Sequence, residues 1–524
     1  MKTLEYMLPM EDGVRLYTLV FLPEGDGPHS AVFIRTPYDP KPTKESIDGA
    51  RASCRGYVEN GFAAVWQHCR GRGGSEGEFV PFKGERADGL KTLSWLEKQP
   101  FFDGRVYLVG GSYLAYVHMS YLAVAPACVK GAALSVMGAD GSRAFFKDGQ
   151  FKADLGPMWY MGVYRHHLLT HGTERATYDA EFRKYPLSGF PKRAWGQEVP
   201  SLTAAMALRD DPLSDVGGYS EAYYAMKSCP VPVLLLDGWS EMYLNDMTHM
   251  WQDLPEEIRA QSAFIVGPWS HGGHVQENWT WPFPGGELEG DPNLDWILHL
   301  RDGRPPRLSA PGMAKYYHVG TGRWETGPDL PQGEREKVFH MTAGRALAES
   351  APEEGEIRWI SDPEDPPFFS GGPDTFITQP AGFAPQPEPN FRDDVISFVT
   401  EPFRQDAAIR GRARVRLQVS CGCEAAAFVA RLCCADEKQT VVMQAGAAEI
   451  PEAAPGEKQE IAITLDPVCW TVRAGERLRL DISCADAMSY FVHPQVRGDW
   501  RETAYCKRAE MALLFPGCRL ELPV

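Results

Sequence analysis

The chain has 524 residues and a mass of 58.3 kDa, too long for one core, because single cores stop growing at roughly 250–300 residues. Its 53 Lys and Arg against 70 Asp and Glu leave a net charge of −17, without the basic excess that nucleic acids and anionic membrane surfaces demand. A composition that is 44% hydrophobic and 11% aromatic supplies large cores and excludes a disordered chain.

In chain order, the first residues (MKTLEYMLPMEDGVRLY) are broken by Glu5, Glu11 and Asp12 and do not read as a signal peptide. Residues 14–22 (VRLYTLVFL) and 30–35 (SAVFIR) read as strands, followed by short apolar runs at 62–67, 106–109, 131–135, 231–236 and 263–267. Runs this short and continuous suit strands buried on both faces of a parallel sheet. Between them, residues 84–99 predict a helix with Ala87, Leu90, Leu93, Trp95 and Leu96 near one face. This alternation predicts an α/β fold.

Residues 140–225 interrupt the alternation. They hold 14 aromatics among 86 residues, 16% against 11% overall, and few β-branched residues. They read as a helical lid or cap insertion, which either forms an ordinary satellite core or walls an apolar substrate pocket. From 375 onward, spaced strands with turns between them predict a β-sandwich, jelly-roll-like. The Pro/Gly-rich run 368–389 reads as its linker. The expected domains are thus an α/β domain in two parts (1–139 and 226–374), the lid (140–225) and the C-terminal sandwich (375–524).

Eight of the twelve cysteines lie after residue 420. In a large chain with no recognisable leader they read as reduced, buried thiols, and the expected location is cytoplasmic. Cys421-Gly422-Cys423 and Cys433-Cys434 lack the paired spacing of a zinc site. No metal, cofactor, nucleic acid or membrane partner is expected, and a homo-oligomer is left open. No apolar run reaches the roughly 18 residues of a membrane span.

Two serines compete as nucleophile. G-x-S-x-G occurs literally around Ser75, but that serine lies in the charged, Gly-rich stretch CRGRGGSEGEF. A nucleophile elbow needs a strand before the serine and a helix after it. The same stretch fails as a dinucleotide fingerprint because residue 76 is Glu, and no G-K-[ST] makes a phosphate loop. Ser112 has the required context: a turn at 103–105, a strand at 106–109, a sharp turn at Gly110-Gly111-Ser112-Tyr113, and a buried helix over AYVHMSYLAVA. There the Tyr113 N–H would face a developing oxyanion. Leu114 and Ala115 follow, so the closing glycine of the motif is missing.

A serine needs a base. In an α/β-hydrolase the chain order is Ser, acid, His. VPVLLLDGWSEMY ends one strand with Asp237 and Glu241, and AFIVGPWSHGGH ends the next with His271 and His274. Either carboxylate could hold the imidazole tautomer. His274 stands three residues farther into a Gly-rich loop, and His249 falls within a helix.

At these residues the chain resembles the cocaine-esterase-like (CocE/NonD-type) α/β-hydrolases, grouped with X-Pro dipeptidyl peptidases and α-amino-acid ester hydrolases. The likeness runs through RTPYD (35–39), RGRGGSEGEF (70–79), TLSWLEKQPFFDGRVYLVGGSYLA (92–115), GWSEMY (238–243), GPWSHG (267–272) and DVISFVTEPF (394–403). It implies an α/β-hydrolase fold with a helical lid and a C-terminal jelly-roll-like sandwich, acting through an acyl-enzyme without a cofactor. By these motifs Ser112 corresponds to the nucleophile, His271 to the base, and Tyr38 to a tyrosine whose phenol is an oxyanion-hole donor beside the Tyr113 N–H. Tyr38 also admits a plain packing role. The acid position departs from the family's G-W-x-D, since Glu241 stands there, and Asp237 remains a rival.

The expected reaction is hydrolysis of an ester, or an amide, of a small apolar acyl group by a Ser-His-Glu triad. Relatives that bind an α-amino group carry acidic residues closely after the acid. Here Met242, Tyr243 and Leu244 follow. X-Pro dipeptidyl-peptidase and α-amino-acid ester hydrolase activities stand as alternatives. Trp159, Tyr160 and Trp239 are candidate pocket walls, equally explained as core. From a different class, an inert relative could bind ligand, such as carbohydrate, through its sandwich.

Overall fold

The computed structural model describes residues 1–25, 27–38, 41, 43–153, 155–160, 180–211, 213, 219–374, 381–487 and 489–524. Its first sheet is built from β1 (Lys2–Pro9), β2 (Arg15–Leu22), β3 (His29–Thr36), β4 (Ala63–His68), β5 (Phe102–Gly111) and β6 (Val129–Ser135). A separate hairpin, β7 (Phe146–Lys147) and β8 (Gln150–Phe151), follows. The sheet continues with β9 (Val233–Gly238), β10 (Ala263–Gly267), β11 (Met313–His318) and β12 (Arg323–Gly327). The strand order is β1-β2-β4-β3-β5-β6-β9-β10-β11-β12. Strands β4 to β11 run parallel, with antiparallel strands at both edges.

The apolar runs read as doubly buried strands lie here for the expected reason: both faces are covered. α1 (Lys44–Glu59) opens on a capping box between Thr43 and Ser46. It covers one face with Ala50, Cys54, Tyr57 and Val58. On the other face lie α2 (Glu85–Leu96) and α3 (Tyr113–Leu122), with Leu93, Leu96, Tyr116 and Met119 in the core. α4 (Leu244–Asp253) follows β9, and α5 (Pro292–Asp302) returns to the α1 side with Trp296 and Ile297.

The second sheet has eleven strands: β13 (Glu336–Met341), β14 (Ala346–Ala348), β15 (Gly355–Ser361), β16 (Ile396–Thr400), β17 (Ala407–Cys421), β18 (Ala426–Ala435), β19 (Thr440–Ile450), β20 (Lys458–Val472), β21 (Arg477–Ser483), β22 (Ala509–Phe515) and β23 (Arg519–Pro523). β17 and β20 pair along most of their length. The core of this sheet is continuous with that of the described residues of 140–225 and of the α2–α3 face.

The division expected at 374/375 falls elsewhere. β13 pairs with β23 and β15 pairs with β22, so the β-rich unit begins near residue 336. These early strands alternate buried and exposed residues (EKVFHM, GEIRWIS), a weaker signal than the apolar runs that follow. The run 368–389, expected as a linker, is packed in its described parts. Arg431 Nη2 donates to the Gly371 carbonyl at 2.9 Å, Trp279 Nε1 donates to Ala381 at 2.8 Å, and Pro385 bridges to Val441. Residues 375–380 lie outside the described residues.

The described part of 140–225 carries short helices, Gly141–Ala144, Gly156–Trp159, Phe190–Trp195, Pro200–Ala207 and Ser220–Tyr223, beside the β7–β8 hairpin. No helix among the described residues is long and apolar enough to cross a membrane.

Candidate active site

Ser112 stands where β5 turns into α3. Its backbone takes φ +56° and ψ −132°, a region that a non-glycine residue occupies only when its surroundings hold it. Ser112 N–H donates to the Ser135 carbonyl at 2.9 Å, and Ala115 N–H donates to the Ser112 carbonyl at 2.8 Å. Gly110 makes the turn possible: a Cβ there would collide with the Leu114 carbonyl. The missing closing glycine is tolerated, since Leu114 and the fully buried Ala115 continue the helix.

The loops after β9 and β10 are stitched together. Trp239 N–H donates to Gly267 at 2.8 Å and Ser240 N–H donates to Trp269 at 3.0 Å. This brings Glu241 and His271 face to face. His271 Nδ1 lies 3.0 Å from Glu241 Oε1, and His271 Nε2 lies 3.1 Å from Ser112 Oγ. Glu241 is buried, and His271 is slightly exposed. A hydroxyl, an imidazole and a carboxylate in one hydrogen-bonded line can pass a proton from oxygen to nitrogen and hold the cation so formed.

Tyr38 stands beyond the end of β3 and donates its phenol to Ser112 Oγ at 3.3 Å. By area it is 41% exposed, but its hydroxyl end lies down in the site. Burial of that end raises its pKa, opposed by its hydrogen bonding with Ser112 and by the Trp159 indole and the Tyr113 backbone N–H. The phenol therefore keeps its proton at neutral pH and remains a donor. The Tyr113 N–H, on the residue after Ser112, faces the same phenol oxygen. Two donors thus converge beside the serine.

The other sequence candidates fall apart here. Ser75 Oγ donates to the His68 carbonyl at 2.9 Å and accepts Tyr17 N–H at 2.8 Å, a staple between a loop and β2. Asp237 is buried at the end of β9. Its Oδ1 accepts Gly238 N–H at 2.7 Å, and its Oδ2 has no hydrogen-bond partner among the described residues. Burial, and then the Glu241 charge, push its pKa well above the usual carboxylate range. His274 Nδ1 bonds to its own loop at Gly272 O, 2.9 Å. His249 bonds within α4 to Asn245 O at 2.7 Å.

Of the three candidate walls, Trp159 is closest to the serine turn. Its indole stacks on Tyr113 (5.4 Å, 14°) and on Phe82 (5.5 Å, 25°). Tyr160 packs edge-on behind it and bonds to the Ser201 carbonyl at 3.1 Å. Trp239 does not join them. It is fully buried, and its indole donates to the Tyr317 carbonyl at 2.6 Å. Tyr243 packs beside the His271 ring, with centroids 6.1 Å apart.

Sequence reasoning missed Lys152. Its buried ammonium donates to the Met242 carbonyl at 2.6 Å and pairs with Asp374 at 3.3 Å, so the chain just after the β7–β8 hairpin and Asp374 both support the loop that carries Glu241. As one Lys among several in an aromatic-rich segment, it left no distinct trace. A second cluster, His318, Glu325 and Cys469, brings three donor atoms within 4.8 Å. Arg410 already pairs with Glu325 at 2.8 Å, and burial pushes the Cys469 thiol to about 12. A metal needs a deprotonated thiolate. The guanidinium supplies the positive charge in this seam between the two sheets.

Residues 12–273, half of the chain, match the model of the X-Pro dipeptidyl-peptidase (S15) family, and residues 309–502 match that of the X-Pro dipeptidyl-peptidase C-terminal non-catalytic domain. The chain is 25% identical over 456 residues to cocaine esterase of Rhodococcus sp. (strain MB1 Bresler), covering 81% of this chain and 79% of that protein. Its fold is similar to that of an aminopeptidase from the marine sediment archaeon Thaumarchaeota archaeon, with a TM-score of 0.80, 19% identity, and 99% and 96% of the two chains covered. An α-amino acid ester hydrolase gives 0.79, with 20% identity, and 100% and 96% covered. A CocE/NonD family hydrolase from Staphylococcus aureus gives 0.65, with 15% identity, and 100% and 92% covered. The chain belongs to the X-Pro dipeptidyl-peptidase (S15) family, as a CocE/NonD-type serine hydrolase of esters or peptides with an α/β-hydrolase fold and a β-rich C-terminal domain.

Proposed function

We propose that the protein is an esterase, or amidase, that works through an acyl-enzyme on Ser112. The observation that carries this reading is the line Ser112–His271–Glu241, with spacings of 3.1 and 3.0 Å. Ser112 Oγ attacks the carbonyl carbon as its proton passes to His271 Nε2. Glu241 holds the Nδ1 proton and stabilises the imidazolium. The tetrahedral oxyanion accepts hydrogen bonds from the Tyr38 phenol and the Tyr113 N–H. Collapse expels the alcohol or amine, which takes the proton from Nε2. Water then repeats the sequence and releases the acid. No cofactor enters any step.

The substrate in this reading is an ester of a small apolar acyl group. The support is the Trp159 and Tyr243 rings beside the serine and the imidazole, and the apolar Met242, Tyr243 and Leu244 after the acid. A cocaine esterase among the relatives points the same way. The family's own description keeps X-Pro dipeptidyl-peptidase activity, and with it α-amino-acid ester hydrolysis, as the alternative. Twelve unpaired cysteines, eleven of them buried, support a reducing, cytoplasmic location.

Two assays test this. A fluorophosphonate should label the parent and not Ser112→Ala. Absence of labelling in the parent would favour the inert, ligand-binding reading. A panel of acyl esters, aminoacyl esters and X-Pro amides should give the highest kcat/KM on apolar acyl esters. A preference for aminoacyl or X-Pro substrates would overturn the substrate class while leaving the nucleophile standing.

A further inference from the structure

The two oxyanion donors sit on separate chain segments, Tyr38 after β3 and the Tyr113 N–H at the start of α3. A buried carboxylate that the chemistry does not use joins them. Glu85 opens α2. Its Oε2 pairs with Arg35 Nη1 at 2.9 Å, and its backbone carbonyl accepts from the same nitrogen at 2.9 Å. Arg35 is fully buried in β3, three residues before Tyr38, with Nε fixed on Gln67 Oε1 at 2.9 Å. The other oxygen, Glu85 Oε1, accepts the Tyr113 phenol at 3.1 Å. That phenol oxygen in turn accepts Phe82 N–H at 2.8 Å. Phe82 holds φ +67°, a strained state for a bulky residue that its neighbours must maintain.

A buried ion pair is weak support for stability, because apolar side chains of similar volume often do as well. Its value lies in fixing geometry, and here it fixes the two segments that end in the donors. Small misplacements of a reacting group cost rate steeply: about 1 Å can cost roughly 10²-fold.

We propose that Glu85 is a positioning residue that holds the two oxyanion donors at a set separation, through Arg35 on the Tyr38 side and the Tyr113 phenol on the other. This rests on the reading of Tyr38 and the Tyr113 N–H as oxyanion donors. Glu85 touches neither substrate nor the reacting atoms; its Oε2 also accepts the Cys69 thiol at 3.5 Å, and the positioning runs through Arg35 and the Tyr113 phenol.

The test is a double-mutant cycle on one activated ester, with acylation limiting and a thermal melt on each variant. Tyr113→Phe removes the link to Glu85 while leaving the Arg35–Glu85 pair intact. It should lower kcat roughly tenfold with KM within about twofold, since the ground-state carbonyl gains little from the hole. In a Tyr38→Phe background the same substitution should cost less than about threefold, because the separation matters only while both donors are present. Tyr116→Phe is the control. Its phenol donates to the Phe82 carbonyl at 3.0 Å in the same aromatic cluster, so it should lower Tm comparably yet leave kcat within about twofold. Glu85→Gln keeps an acceptor for Tyr113 and removes the charge facing Arg35. It should lower kcat at least as much as Tyr113→Phe if it folds, and the Tyr113 cycle decides the matter if it does not. Multiplicative losses in the double variant, or equal kcat losses in Tyr113→Phe and Tyr116→Phe, would overturn the role of Glu85 alone. A silent Tyr38→Phe would overturn the oxyanion reading and this inference with it.

Discussion

Glu241→Gln strips the charge from a carboxylate that lies 3.0 Å from His271 Nδ1 and is only 1% exposed, so water cannot stand in for it. The amide has two placements. With its NH2 toward Nδ1, it drives the imidazole proton to Nε2, which then has no lone pair for the Ser112 proton 3.1 Å away. With its carbonyl toward Nδ1 the tautomer survives, but the imidazolium loses its counter-charge. The matching Asp-to-Asn change in a serine protease costs about 10⁴ in kcat, or about 5.4 kcal/mol at 1.36 kcal/mol per decade. The expected loss here runs from roughly 10² for the second placement to roughly 10⁴ for the first.

Asp237→Asn is the internal comparison. Burial and the neighbouring Glu241 charge push that carboxyl's pKa well above its usual range, which favours the protonated form that Asn mimics in shape. The amide oxygen can still accept Gly238 N–H, now at 2.7 Å. A change within about threefold is expected, because Asp237 bonds to the Gly238 backbone while Glu241 holds His271 Nδ1, so the imidazole tautomer is left as it was. The assay is kcat/KM on one activated ester at pH 7 for both variants, with circular dichroism and a thermal melt as folding controls. The reasoning fails if Asp237→Asn costs more than Glu241→Gln, or if folded Glu241→Gln stays within tenfold of the parent.

Ser75→Ala should keep most of the activity while losing stability, since it leaves Tyr17 N–H and the His68 carbonyl without their partner, at a cost of about 1–3 kcal/mol. An inactive, fully folded Ser75→Ala would return that serine to the reaction. Asp246 carries a pH signature: burial raises its pKa from 3.8 to about 7 in the folded chain. The folded state then binds a proton that the unfolded chain releases, so this group favours folding at low pH. Its penalty grows from about pH 4 to about pH 7 and then levels, with an upper bound of about 4 kcal/mol. In Asp246→Asn, whose carbonyl can keep the Asp140 N–H now held at 2.8 Å, Tm should vary less over that window and exceed the parent's above pH 7. An unchanged slope of Tm against pH would refute it.

The short, continuous apolar runs and the strand–serine–helix context of Ser112 could be read from residues alone, because run length and turn residues are properties that a short segment carries by itself. The choice between Asp237 and Glu241 could not. Both sit at the end of one apolar run, and the bonds from Trp239 N–H to Gly267 and from Ser240 N–H to Trp269, across two loops, turn Glu241 to His271. Trp239 reads as a pocket wall from its place beside the acid, yet its indole needs the Tyr317 carbonyl and takes it to the core. β13 and β15 alternate too weakly to be assigned until β23 and β22, far later in the chain, pair with them. Lys152, Asp374, Arg35 and Glu85 left the least trace. A lone charge in a sequence looks like a surface residue, and only the fold, by burying it, requires an opposite charge from a distant segment.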